Sequence, residues 1–92
     1  MAEDYLQKAL LMRKESGNKN GEAACCGGLG TVYTSLGQYV KAEEYLQTAL
    51  TIVKEIGEKE GEAACYGNLA GVFRSRGDFA KAKKHQIGRA HV

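Results

Sequence analysis

The chain has 92 residues, 43% of them hydrophobic, and sets 13 lysines and arginines against 11 aspartates and glutamates for a net charge of +2. That is enough apolar side chain for one globular unit but too short a chain for two independent cores, and the charge is too small to direct it to a polyanion such as nucleic acid. No apolar run approaches the roughly 18 residues that span a bilayer, the first residues lack the basic-then-apolar order of a signal peptide, and three cysteines, two of them adjacent, suit a reducing, cytoplasmic setting better than a disulfide framework.

Along the chain, the first predicted helix covers 2–16 and ends at Gly17. A second, over 22–36, carries the stripe Cys26, Leu29, Val32, Tyr33 and Leu36. The third, 39–56, carries Ala42, Tyr45, Leu46, Ala49, Leu50 and Val53. The fourth, 62–76, repeats the pattern with Tyr66, Leu69, Val72 and Phe73, and a helical stub starts at 79. These spacings of three and four lie on one face of an α-helix, whereas strands would alternate by two. Gly17, Gly37, Gly57 and Gly77 follow the periodic segments, where glycine ends a helix in the left-handed conformation. Asp78 suits an N-cap, and Glu22 and Glu62 suit first turns. The connector GNKNG and its copy GEKEG read as polar, solvent-facing loops.

Sliding the sequence by 40 residues matches 2–41 to 42–81 at 22 of 40 positions. AEDYLQKAL returns as AEEYLQTAL, GEAACCGGLGTVYTSLGQYVK returns as GEAACYGNLAGVFRSRGDFAK, and AKKHQ begins a third copy. Such a period marks a solenoid or propeller, whose units bury their apolar faces only against neighbours. Here each unit is a helical hairpin, so the predicted fold class is all-α, with antiparallel hairpins stacked as an α-solenoid.

The pattern Leu29, Gly30, Tyr33, Gly37, Tyr39, Ala42 and Ala49 resembles the tetratricopeptide repeat family, and the second copy fits through Tyr66, Leu69, Ala70, Phe73, Gly77, Phe79 and Ala82. The 40-residue period and the GEAA that opens each first helix look like the longer repeats of Pins/LGN-type adaptors and of large animal arrays. The resemblance covers residues 2–86. It implies that 2–21 is helix B of a truncated repeat, 22–61 a full repeat, and 62–86 a repeat cut within helix B. Cys26 stands where the family carries a bulky aromatic. Both ends then look cut from a longer array, and self-association through those ends is expected. The last six residues, IGRAHV, match one reading frame of a common sequencing adapter; 87–92 is expected to be non-native and is left out of functional reasoning.

Chemical readings of the same residues are weaker. The glycines of CCGGLG lack the Gly-Lys of a phosphate loop. Only Gly27 and Gly67 recur between copies, which suggests close approach of a neighbouring helix or of a ligand backbone. Adjacent cysteines on a helix diverge by about 100° and cannot readily share one metal ion, so Cys25, Cys26 and Cys65 read as small packing residues. Glu43, Glu44, Glu55 and Glu62 read as a solvated face with lysines nearby, and neither a cofactor nor an active site is expected. Arg74, Arg76, Lys81, Lys83 and Lys84 form the one local basic excess, without the interleaved aromatics of a nucleic-acid surface. Tyr5, Tyr33, Tyr39 and Tyr45 read as core and hairpin-contact residues.

The family resemblance implies a protein-interaction scaffold whose first helices line a concave groove for a protein or peptide segment. It places Ala24, Gly27, Thr31, Thr34 and Ser35 in that groove from one repeat. Ala64, Gly67, Gly71, Arg74 and Ser75 come from the next, with Asn68 beside the surface. Small residues would admit a bulky segment, and Arg74 could pair with a carboxylate. Gly27, Thr31, Gly67 and Gly71 stand where the carboxylate-clamp variety carries lysine and asparagine, so chaperone C-termini are not expected ligands. A regulatory array attached to a catalytic domain and a ligand-free spacer are the alternatives. Neither nucleic acid nor membrane is expected as a partner.

Overall fold

The computed structural model describes residues 2–77. The Asp78 cap, the stub from 79 and the adapter-like tail lie outside the described residues. Four α-helices fill the described chain: α1 Ala2–Ser16, α2 Lys19–Ser35, α3 Tyr39–Glu55 and α4 Lys59–Ser75. The architecture is that of an all-α solenoid fragment built from helical hairpins.

Each helix stops within one residue of the predicted end, just before its glycine. Gly17, Gly37, Gly57 and Gly77 have φ of 71°, 77°, 71° and 85°. After α2, Gln38 N–H donates to Tyr33 C=O at 2.9 Å and Gly37 N–H to Thr34 C=O at 3.1 Å, the paired bonds of a Schellman cap. The same pattern follows α1 and α3, through Asn18 to Arg13 at 3.0 Å and Glu58 to Val53 at 2.9 Å.

Helix starts differ from the reading of GNKNG and GEKEG as loops. α2 and α4 begin at Lys19 and Lys59, so most of each connector is the helix's first turn. Asn18 supplies the missing start signal, its Oδ1 accepting from Gly21 N–H at 2.9 Å. Gly21 and Gly61 are not breakers but crossing points. A Cβ at 21 would sit 2.6 Å from Arg13 Cδ, and one at 61 would sit 2.9 Å from Val53 Cγ1. Lys19 and Glu22, and Lys59 and Glu62, then form i,i+3 pairs at 3.6 and 4.0 Å.

The core follows the apolar stripes. Leu29, Leu46, Leu69 and Val72 are fully buried, with Cys26, Tyr33, Ala42, Ala49, Ala70 and Phe73 almost so. α2 lies at the centre, touching α1, α3 and α4. It meets α3 closely because Gly30 has no side chain: a Cβ there would fall 2.5 Å from Leu46 Cγ. Cys25, Cys26 and Cys65 are buried free thiols within this core. Two expectations fail. Leu36 is exposed because α2 ends at Ser35, and Tyr5 is 75% exposed because its face of α1 points away from α2.

The two inter-repeat junctions use different chemistry at equivalent positions. Between α1 and the α2–α3 hairpin, Tyr33 Oη donates to Glu3 Oε2 at 2.6 Å. Gln7 Nε2 donates to Tyr45 Oη at 2.9 Å and to Tyr33 Oη at 3.3 Å. Tyr33 and Tyr45 stack, with centroids 5.5 Å apart, under the ammonium of Lys41. Forty residues on, Phe73 offers no hydroxyl to Glu43, and Arg76 takes that carboxylate instead at 3.1 Å. Tyr33→Phe is therefore expected to lower the melting temperature, and Tyr33→Phe with Leu36→Arg to recover part of the loss by recreating the second junction's pair. Thermal denaturation of the two variants checks this, and an unchanged single variant would contradict it.

Candidate functional site

The outward face shared by α2 and α4 holds two neighbouring clefts of about 230 Å³ each. One is lined by Thr31, Thr34 and Ser35 from α2 and by Gly67, Asn68, Gly71 and Ser75 from α4, with Leu46 of α3 as its floor. The other is lined by Asn20, Ala24 and Gly27 from α2 and by Glu58, Gly61, Ala64 and Asn68 on the α4 side. Asn68 is exposed and borders both clefts. Arg74 borders neither cleft and stands exposed in the last turn of α4.

The sequence reading missed Asn20 and Gly61, because it placed them in loops before the helices that carry them, and Glu58, the residue that precedes α4. It missed Leu46 because a buried helix B residue shows only where two first helices part. For Asn20 the signal was Asn18, a strong N-cap three residues upstream of Gly21; the start of α4 has no such side-chain cap at Glu58.

Local chemistry fixes what these side chains offer. Thr31 donates its hydroxyl to Gly27 C=O at 3.2 Å and Thr34 to Gly30 C=O at 2.7 Å. Both hydroxyls thereby face outward as acceptors, while the Asn68 amide both donates and accepts and Arg74 only donates. Gly27 and Gly71 are open: among the described residues a Cβ at either would meet nothing within 4 Å. The neighbouring-helix explanation for Gly27 is thus excluded; the close approaches belong to Gly28, under Leu6, and to Gly30, under Leu46. Gly27→Ala and Gly71→Ala should each stabilise the fold by about 0.5–1 kcal/mol through helix propensity, and urea denaturation would show it. A loss of stability at either position would contradict the open geometry.

The opposite surface carries its own contacts. Lys54 lies 5.6 Å from the Tyr66 ring centroid, and Tyr66 holds its pKa above the usual lysine value. Arg76 belongs to the Glu43 pair and lies 6.0 Å from the Phe73 ring centroid, so it is not part of a free basic patch. Lys81, Lys83 and Lys84 lie outside the described residues. Burial pushes the Cys26 thiol up to about 11, with Glu22 adding to it, and burial likewise raises Cys65. Neither is a poised thiolate. Among the described residues no helix is long and apolar enough to cross a membrane.

Comparison with known proteins agrees with this architecture. A comparison with curated protein sequences gives no significant match. Among solved structures, the chain is similar to the TPR domain of Arabidopsis FLU, at a TM-score of 0.89 and 26% identity, covering 97% of this chain and 75% of that one. The tetratricopeptide repeat model matches residues 1–55 and again 27–86. Two overlapping matches over hairpins that repeat in sequence and in packing leave one assignment: the chain belongs to the tetratricopeptide repeat family.

Proposed function

We propose that the chain is a non-catalytic interaction scaffold that receives a segment of a partner protein across α2 and α4. Gly27, Thr31, Thr34, Gly67, Asn68, Gly71 and Arg74 are its contact residues. The observation that carries this reading is the open pair of clefts joined at Asn68, with Gly27 and Gly71 leaving room that packing does not require. The threonine acceptors and the Asn68 amide suit a peptide main chain, and Arg74 suits an acidic group near one end of the segment. A cytoplasmic setting, and an affinity with the Pins/LGN-like long repeats on the ground of the 40-residue period, belong to the same proposal. Tetratricopeptide repeats generally mediate protein–protein interactions, and the exposed Tyr5, Leu11 and Met12 of α1 favour a second reading, association through the end of the stack.

Arg74→Glu should weaken binding of a captured partner segment by about 1–3 kcal/mol, combining a lost charge-assisted bond with new repulsion. The fold should be unaffected, because Arg74 is exposed. Thr51→Glu, at an exposed position of α3 that borders neither cleft, serves as the control. Calorimetry on both variants decides. Equal losses, or none for Arg74→Glu, would remove the groove assignment.

A further inference from the structure

One dipeptide of the chain carries the chemistry to modify itself. The sequence holds three asparagines, Asn18, Asn20 and Asn68, and only Asn20 precedes a glycine. A glycine in that position leaves its backbone nitrogen free to reach the asparagine's side-chain carbonyl carbon, because no Cβ stands in the way and the backbone turns easily. Here packing demands the glycine: a Cβ at 21 would sit 2.6 Å from Arg13 Cδ, where α1 crosses the start of α2. A susceptible pair is thereby kept at the surface, with Asn20 exposed.

Gly21 also sits where a helix leaves its backbone donors without main-chain partners. The first main-chain bond of α2 runs from Glu22 N–H to Asn18 C=O at 2.9 Å. Gly21 N–H is held instead by the side chain of Asn18, donating to its Oδ1 at 2.9 Å. We infer that Asn20 is a site of spontaneous deamidation whose rate is set by the Asn18 cap. In the closed turn the Gly21 proton is engaged, and the helical ψ turns the nitrogen out of the near-eclipsed arrangement with Cβ that ring closure needs. When the turn frays, the Gly21 nitrogen loses its proton to hydroxide and attacks Asn20 Cγ. A new C–N bond closes a cyclic imide, and the side-chain nitrogen leaves as ammonia, taking a proton from water. Water that cleaves the ring at Cγ gives aspartate. Water that cleaves it at the main-chain carbonyl gives isoaspartate, with the chain then running through the former side chain.

The two products act differently on the fold. Aspartate at 20 puts a carboxylate in the first turn of α2, where the helix dipole favours it and where α4 already carries Glu60 at the equivalent position. Isoaspartate adds a methylene to the main chain, which should displace Gly21 from the Asn18 cap and from its contact with Arg13. Either product adds a negative charge to the cleft that Asn20 lines together with Glu58. The modification is independent of what that cleft receives. It belongs to one repeat only, because the second copy carries Glu60 before Gly61 and has no amide to lose.

The intact chain, held under reductant in mildly alkaline buffer and then digested and mapped by mass spectrometry, should show the mass gain of an amide turned to an acid at residue 20. The product should be a mixture of aspartate and isoaspartate, and Asn18 and Asn68 should stay amides over the same time. Asn18→Ala should speed the reaction by roughly threefold to thirtyfold, the factor by which loss of a capping side chain populates the frayed turn. Asn18→Ser restores a capping oxygen and should return the rate towards that of the parent. Tyr33→Phe weakens the fold away from this turn and should leave the rate at Asn20 unchanged. An Asn20 that stays an amide, equal reaction at Asn18 or Asn68, or no effect of Asn18→Ala overturns the inference. So does a rate in Asn18→Ser as fast as in Asn18→Ala. A rate that rises in Tyr33→Phe as much as in Asn18→Ala also overturns it, because the reaction would then run through the unfolded chain and not through the cap.

Discussion

Leu46→Ala is expected to destabilise the chain by about 2–5 kcal/mol, a large part of what a domain of this size has available. Leu46 is fully buried in α3 and fills the space that Gly30 leaves on α2. Truncation removes its transfer energy and opens a cavity at the hairpin's closest contact. The converse change, Gly30→Ala, forces a Cβ to within 2.5 Å of Leu46 Cγ. Leu46 has no solvent to move into, so overpacking of about 1–3 kcal/mol follows. The two errors have opposite sign in volume, and Gly30→Ala with Leu46→Val should cost less than the sum of its parts. Urea denaturation of Gly30→Ala, Leu46→Val and the pair measures the coupling, with Leu46→Ala read separately. Strict additivity would mean that the two residues do not share the contact, and a Leu46→Ala variant as stable as the parent would contradict the packing outright.

The rest of the hairpin was legible for similar reasons. Helix ends were readable because Gly17, Gly37, Gly57 and Gly77 occupy φ values that other residues rarely adopt. The core was readable because burial has to follow the helical period. What escaped was anything depending on which neighbour a residue meets. Gly21 and Gly61 read as loop residues, but they are glycine because Arg13 and Val53 cross there. Tyr5 and Tyr45 are equivalent in sequence, yet one is bare and the other stacked on Tyr33. The groove residues fell partly between these cases. Family register points to Thr31, Thr34, Gly67 and Gly71, and they do line one cleft, but the central position of Asn68 and the distance of Arg74 from both clefts depend on how α4 settles against α2.

Alkaline solution should unfold the chain earlier than its near-neutral charge suggests, because the shifts at Cys26, Cys65, Tyr33 and Lys54 all run upward. Cys26 moves furthest, from an ordinary 9.0 to about 11, chiefly by burial and then by the nearby Glu22 carboxylate. Tyr33 is raised first of all by the hydrogen bond it gives to Glu3. A group whose folded pKa lies above its unfolded one contributes stability that is fully present below the unfolded value. As pH climbs from about 9 to about 11, the unfolded chain loses the Cys26 proton while the folded chain keeps it, so unfolding becomes easier. Two units correspond to on the order of 2–3 kcal/mol from Cys26 alone. Urea midpoints measured under reductant at pH 7.5 and through the alkaline range should therefore fall. Cys26→Ala should flatten that fall, although it lowers stability somewhat at neutral pH by removing a buried sulfur. Tyr33→Phe should flatten it further, since its ring has no proton to give up. A Cys26→Ala variant with the parent's alkaline slope would show that this buried thiol is not what fails, and would shift the explanation to Cys65, Tyr33 and Lys54.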